Sequence, residues 1–224
     1  MDYRLTYIFL AFIPGSGGNF ISRCINLLDN AYCHIDSSTK ALSNDLSTKL
    51  DILSYNSVST RNSVSQDWVK FERLACHYSK HHNHYDLPDG SYSIWYDHPI
   101  ANNTQWSELQ SPGHRNLFFY IDPTEAFEWA LMNALYKNSY YNVNWFIGGK
   151  GCLDSNKFIK LNLKNIIDSK ETFFVEFEKI CRTIGHTMSE EEQQAISLLY
   201  DQWKPTTLDY KDIPKFKEEI GFSY

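Results

Sequence analysis

The sequence has no Cys-x-x-Cys pair, no lysine followed by serine or threonine after its glycine-rich turn, no apolar run of membrane-spanning length and no excess of positive charge. Each absence closes a class of function. The five cysteines (Cys24, Cys33, Cys76, Cys152, Cys181) are odd in number and scattered, so they support neither a disulfide framework nor a zinc knuckle and read as reduced, mostly buried thiols. The early apolar run, Tyr7 to Ile13, falls short of the ~20 residues that cross a bilayer and leads into glycines instead of a cleavage site. A cytoplasmic protein with no membrane partner is expected. A formal net charge of -6 argues against broad nucleic-acid binding, so an anion has to be caught locally. There is also no internal repeat.

What the chain does have is Tyr7-Ile8-Phe9-Leu10-Ala11-Phe12-Ile13-Pro14-Gly15-Ser16-Gly17-Gly18-Asn19-Phe20, followed by Ile21, Cys24, Ile25, Leu27 and Leu28 at helical spacing. A buried strand, a glycine turn and a helix N-terminus aim free backbone N–H groups at one point, which suits a phosphate or sulfate. Gly15, Gly17 and Gly18 allow positive φ and close approach, and the helix dipole adds positive potential. The triphosphatase loop is excluded because nothing supplies its Lys-Ser/Thr pair. The dinucleotide fingerprint fails because Phe20 stands where its third glycine belongs. The competing interpretation is an ordinary tight strand-to-helix turn.

With 224 residues the chain is long enough for one well-buried domain and short for two. Strand and helix signals alternate along it. Residues 37–91 read as a largely irregular insertion containing an amphipathic piece from Leu42 to Leu53 and a helix from Gln66 to Tyr78. Tyr92 to Tyr96 and Leu117 to Ile121 read as strands. Pro123 opens a helix with Ala126, Phe127, Ala130, Leu131, Ala134 and Leu135 on its apolar side. Lys157 to Leu163 is a further strand, Thr172 to Ile184 a helix ended by Gly185, and Ser189 the cap of a last long helix. The tail from about residue 205 is expected to wrap the surface. This alternation predicts one α/β domain over residues 1–224, with a central, mostly parallel sheet flanked by helices.

In that order the parts resemble the sulfotransferases that use 3′-phosphoadenosine 5′-phosphosulfate. Pro14-Gly15-Ser16-Gly17-Gly18-Asn19-Phe20 is similar to the family's Pro-Lys/Arg-Ser-Gly-Thr-Thr loop and the aromatic or apolar residue after it. Tyr92-Ser93-Ile94-Trp95-Tyr96-Asp97-His98-Pro99 resembles its strand leading to a histidine, and Ile121-Asp122-Pro123 its Arg-x-Pro. Phe158 to Leu163 and the helix through Phe177-Glu178-Lys179-Ile180-Cys181 to Gly185 complete the series. The resemblance implies a three-layer P-loop-like fold. It also implies transfer of a sulfuryl group from that donor to a hydroxyl or amine of a carbohydrate or other small acceptor, without a metal.

Under this resemblance Gly15, Ser16, Gly17, Gly18, Asn19 and Phe20 hold the 5′-phosphosulfate, and His98 takes the acceptor's proton. Gly15 stands where the family has a cation, and Ile121 where it has an arginine for the 3′-phosphate. Arg23, then Lys150, are the expected substitutes. The same two departures suit an alternative: a protein of this fold that has lost transfer and binds a nucleotide, a sulfated ligand or a protein partner. His77, His81, His82 and His84 with Asp86 have metal-compatible spacing, but no His-Glu-x-x-His pattern, and read as a polar helix end and loop.

Overall fold

The computed structural model describes residues 4–34, 42–53, 87–97, 114–137 and 158–222. The elements in chain order are Leu5–Ala11 (β1), Gly18–Leu27 (α1), Cys33–His34 (β2), Leu42–Ser43 (β3), Leu46–Leu53 (α2), Ser91–Asp97 (β4) and Arg115–Asp122 (β5). They continue with Phe127–Lys137 (α3), Ile159–Asn162 (β6), Leu163–Asp168 (α4), Lys170–Ile184 (α5), Glu190–Trp203 (α6) and Ile213–Glu219 (α7). The expected helix from Gln66 to Tyr78 lies outside the described residues.

An uncharged run such as Leu5 to Ala11 is stable only as a strand covered on both faces. All seven residues of β1 are buried. It lies inside a four-stranded sheet of order β4-β1-β5-β6, every pairing parallel. The fold is therefore α/β, with a wholly parallel central sheet among the described strands and helices flanking it. Ile8 and Leu10 face the main core, which takes in Phe119, Ile121 and Leu161 from neighbouring strands and the apolar sides of α1, α3, α4, α5 and α6. Leu5, Tyr7 and Phe9 point to the other face, where Phe9 stacks on Phe118 at 4.8 Å between ring centroids.

After β1 the chain pairs β4 to one side of it, then β5 to the other. That makes β1 the switch point of the sheet, and open parallel sheets bind ligands outside the carboxyl ends of strands at such a point. The register places Ala11 opposite Asp97 of β4 and opposite Tyr120 of β5, so the glycine turn leaves the sheet at that end.

The amino end is fastened by buried polar groups. Glu192 accepts from the Asp29 amide at 2.6 Å, from the Ser189 amide at 2.7 Å and from His186 Nε2 at 3.0 Å. Lys49, 1% exposed, donates through Nζ to the carbonyls of Leu28 and Ala31 and to Asn44 Oδ1. A fully buried ammonium is tolerated because its donors are matched in this way. The tail does more than wrap the surface: Leu208 and Ile213 enter the core, and Lys217 pairs with Glu128 at 2.9 Å.

Candidate anion site at the glycine turn

Pro14 and Gly15 form the corner that ends β1. The Ser16 amide donates to the Ile13 carbonyl at 3.2 Å and Gly15 has φ +80, the pattern of a type II turn with proline and then glycine at its centre. Ser16 is fully buried and its hydroxyl also donates to Ile13 O, at 2.6 Å. Both Ser16 donors are thus spent inside the turn and leave nothing for a ligand.

The glycines have separate structural causes. A Cβ on Gly15 would lie 2.1 Å from the Ala130 carbonyl and 2.8 Å from the Ala134 nitrogen, because the turn rests directly on the backbone of α3. Gly17 is the N-cap of α1 in the left-handed conformation, φ 79, with the Trp203 ring 3.0 Å from where its Cβ would be. Gly18 needs no unusual φ. It is glycine because the Phe12 ring fills the Cβ position at 2.1 Å.

Packing therefore accounts for the glycines, and what remains for a ligand is the N–H groups. Among the described residues, none of the amides of Gly15, Gly17, Gly18, Asn19 and Phe20 donates a hydrogen bond; the first such bond into α1 comes from Ile21, to Gly17 O at 3.0 Å. No side chain caps α1 and its first turn carries no acid. Three other helix starts are treated differently, although α7, like α1, has no side-chain cap hydrogen bond. Ser169 and Ser189 close α5 and α6 with complete capping boxes, and Asn162 caps α4. Asn19 is exposed and Gly15 and Gly17 are half-buried, so solvent reaches this end of α1.

The Phe20 side chain is no ligand group. It is fully buried and stacks on Trp203, with centroids 4.1 Å apart and planes 3° from parallel, a contact worth about 1 kcal/mol beyond its buried area. Arg23 lies further along α1, 5% exposed, with Nη1 donating to the Leu53 carbonyl at 3.2 Å where α2 ends. Its charge is felt by Lys137, the last residue of α3. Burial, and after it the Arg23 guanidinium, push the Lys137 ammonium down to about 8, although the residue as a whole is exposed.

Asp122, beside the Ile121 position, is occupied in its own turn: Oδ1 accepts from the Thr124 amide at 3.0 Å and the Thr124 hydroxyl at 2.6 Å. His98 and Lys150 lie outside the described residues, as do His77, His81, His82, His84 and Asp86. The last described residue before His98 is Asp97, at the end of β4 that adjoins the turn. Sequence reasoning missed Asn133, whose Nδ2 donates to the Gly15 carbonyl at 2.7 Å. The available signal was an amide side chain amid the apolar positions Ala130, Leu131 and Ala134 of α3.

Among the described residues, no cluster of histidine, cysteine, aspartate or glutamate is arranged to hold a metal ion, and no helix is long and apolar enough to cross a membrane. No family model, curated protein or solved structure matches the chain.

Proposed function

We propose that the chain seats the phosphosulfate of 3′-phosphoadenosine 5′-phosphosulfate against the amides of Gly17, Gly18, Asn19 and Phe20, and passes the sulfuryl group to a hydroxyl or amine of a carbohydrate or small acceptor. One observation carries this: the first-turn amides of α1 are uncapped and undonated among the described residues, at the switch point of a parallel sheet, whereas α5 and α6 are closed by serine capping boxes. In the reaction the bond between sulfur and the bridging phosphate oxygen breaks as the acceptor oxygen or nitrogen bonds to sulfur. The acceptor's proton passes to His98, and 3′-phosphoadenosine 5′-phosphate leaves. The amides hold the donor in line, and Arg23 on α1 is the cation assigned to the charge that develops on the leaving phosphate.

Gly15 favours a second reading, binding without transfer. No side chain fits at that position, so the cation that the sulfotransferase resemblance implies cannot be carried there. Calorimetric titration with 3′-phosphoadenosine 5′-phosphate, followed by a transfer assay with sulfur-labelled donor on sugar and phenolic acceptors, separates the two. Binding with transfer supports the enzyme, and binding without transfer supports the second reading. No binding of the nucleotide refutes both as nucleotide-specific proposals.

A further inference from the structure

Asn133 is 1% exposed on α3 and its amide uses both ends. Nδ2 donates to the Gly15 carbonyl at 2.7 Å, and Oδ1 accepts from the Leu208 amide at 3.0 Å. One turn earlier on the same helix, Trp129 Nε1 donates to the Leu208 carbonyl at 2.7 Å. Leu208 is thus gripped on both its N–H and its C=O by α3. Just upstream, Trp203 lies against Gly17 and stacks on Phe20. The C-terminal segment from Trp203 to Leu208 and the glycine turn therefore meet the same helix and share one amide side chain.

We infer that Asn133 is a positioning residue for the anion site, and that through it the segment ending at Leu208 sets the shape of the turn; this rests on the anion-site reading proposed above. The physical reason lies in the peptide between Gly15 and Ser16. Its N–H is directed to Ile13 O, and its carbonyl must point the opposite way, to α3. A carbonyl swung toward the first turn of α1 would set a negative dipole among the amides that are to receive an anion. Asn133 holds that carbonyl back. Because its other end is tied to Leu208, loosening the C-terminal segment releases the same constraint.

An aspartate tests this without changing the size of the side chain. Ionised, Asn133→Asp has no donor for Gly15 O. Protonated, it offers one O–H to Gly15 O and one carbonyl to Leu208 N, restoring both bonds. Inorganic sulfate is the probe, since it stays fully ionised between pH 5 and pH 8, and binding is followed by calorimetry and by the amide shifts of Gly17, Gly18, Asn19 and Phe20. At pH 8 the variant should bind sulfate about tenfold more weakly than wild type, as expected for a lost buried hydrogen bond, and the deficit should close as the pH falls. Asn133→Leu, which lacks both bonds and carries no charge, must bind sulfate weakly at both pH values; wild-type affinity in that variant would assign the aspartate's deficit to charge repulsion and overturn the inference.

Equal affinity at pH 8, or a deficit that persists at a pH where NMR shows the introduced carboxyl to be protonated, overturns the inference. A wild type that binds no sulfate and shows no shift at those amides refutes the anion site itself, a different failure. If the variant does not fold, hydrogen exchange in wild type decides. Sulfate must slow exchange of the Leu208 amide along with those of Gly17 to Phe20, since coupling between linked sites is reciprocal. Protection of the turn with Leu208 unchanged overturns the inference.

Discussion

Gly15→Ala should destabilise the protein far more than the same change at Gly90, although both glycines have nearly the same φ, +80 and +87. Forcing an L side chain into the left-handed region costs about 1–2 kcal/mol at either site. At Gly90 that is the whole cost, because nothing lies within 4 Å of the new Cβ. At Gly15 the methyl would sit 2.1 Å from the Ala130 carbonyl, 2.8 Å from the Ala134 nitrogen and 3.0 Å from the Ala134 Cβ. Backbone atoms cannot rotate away, so α3 or the turn has to move, adding about 1–3 kcal/mol as in other overpacked sites. The total, about 2–5 kcal/mol, is a large part of an ordinary domain's stability. In urea, with a slope of about 2 kcal/mol per molar, the Gly15→Ala midpoint should fall by about 1–2.5 M, against about 0.5–1 M for Gly90→Ala. Matching shifts for the two variants would refute the close packing of the turn on α3. Gly15→Lys carries the same penalties, so a cation is not restored at that position without disturbing the fold.

Two further outcomes follow from buried titratable groups. Burial opposes ionisation of Glu192, but the Asp29 and Ser189 amides and His186 outweigh it and hold the carboxyl below its usual 4.5. A lowered folded pKa stabilises the fold above the unfolded value, and that contribution is lost as pH falls through the folded pKa. Glu192→Gln should therefore melt well below wild type at pH 7, the gap narrowing below about pH 4.5, and a gap independent of pH would contradict this. Burial raises the Cys24 thiol well above its ordinary pKa and, with nearby acids, pushes Cys181 up to about 12. Both should resist alkylation at pH 8 in the folded protein and react fully in denaturant; peptide mapping that finds Cys24 modified in the native state counts against the packing of α1 on the core, and Cys181 modified against that of α5.

Much of the architecture was legible in order and type. The apolar run predicted at 7–13 is β1 at Leu5–Ala11, and the helix expected near Gly18 begins there. Gly185 ends α5 in the left-handed conformation and Ser189 caps α6, as local signals indicated. The misses are local ones too. Lys157 to Leu163 reads as one strand, yet the strand covers only Ile159–Asn162; Asn162 accepts the Lys164 amide and starts α4 in the next residue. The cap wins because a side-chain acceptor there ends the strand and begins the helix at once.

What the sequence by itself determined was therefore the periodicity: a buried strand, a glycine turn, an amphipathic helix, and strands alternating with helices to make a parallel sheet. These follow from local sterics and from which faces must leave water. Only the tertiary structure decided what each glycine is for and which donors remain available. Gly15 is set by the backbone of α3, more than a hundred residues away in the chain, Gly17 faces Trp203, and Gly18 gives way to the Phe12 ring. Ser16 spends its donors on Ile13, Arg23 reaches Leu53, and Asn133 joins the turn to Leu208. Contacts between residues remote in the chain leave no period in it, because they depend on how the elements dock and not on how each one forms.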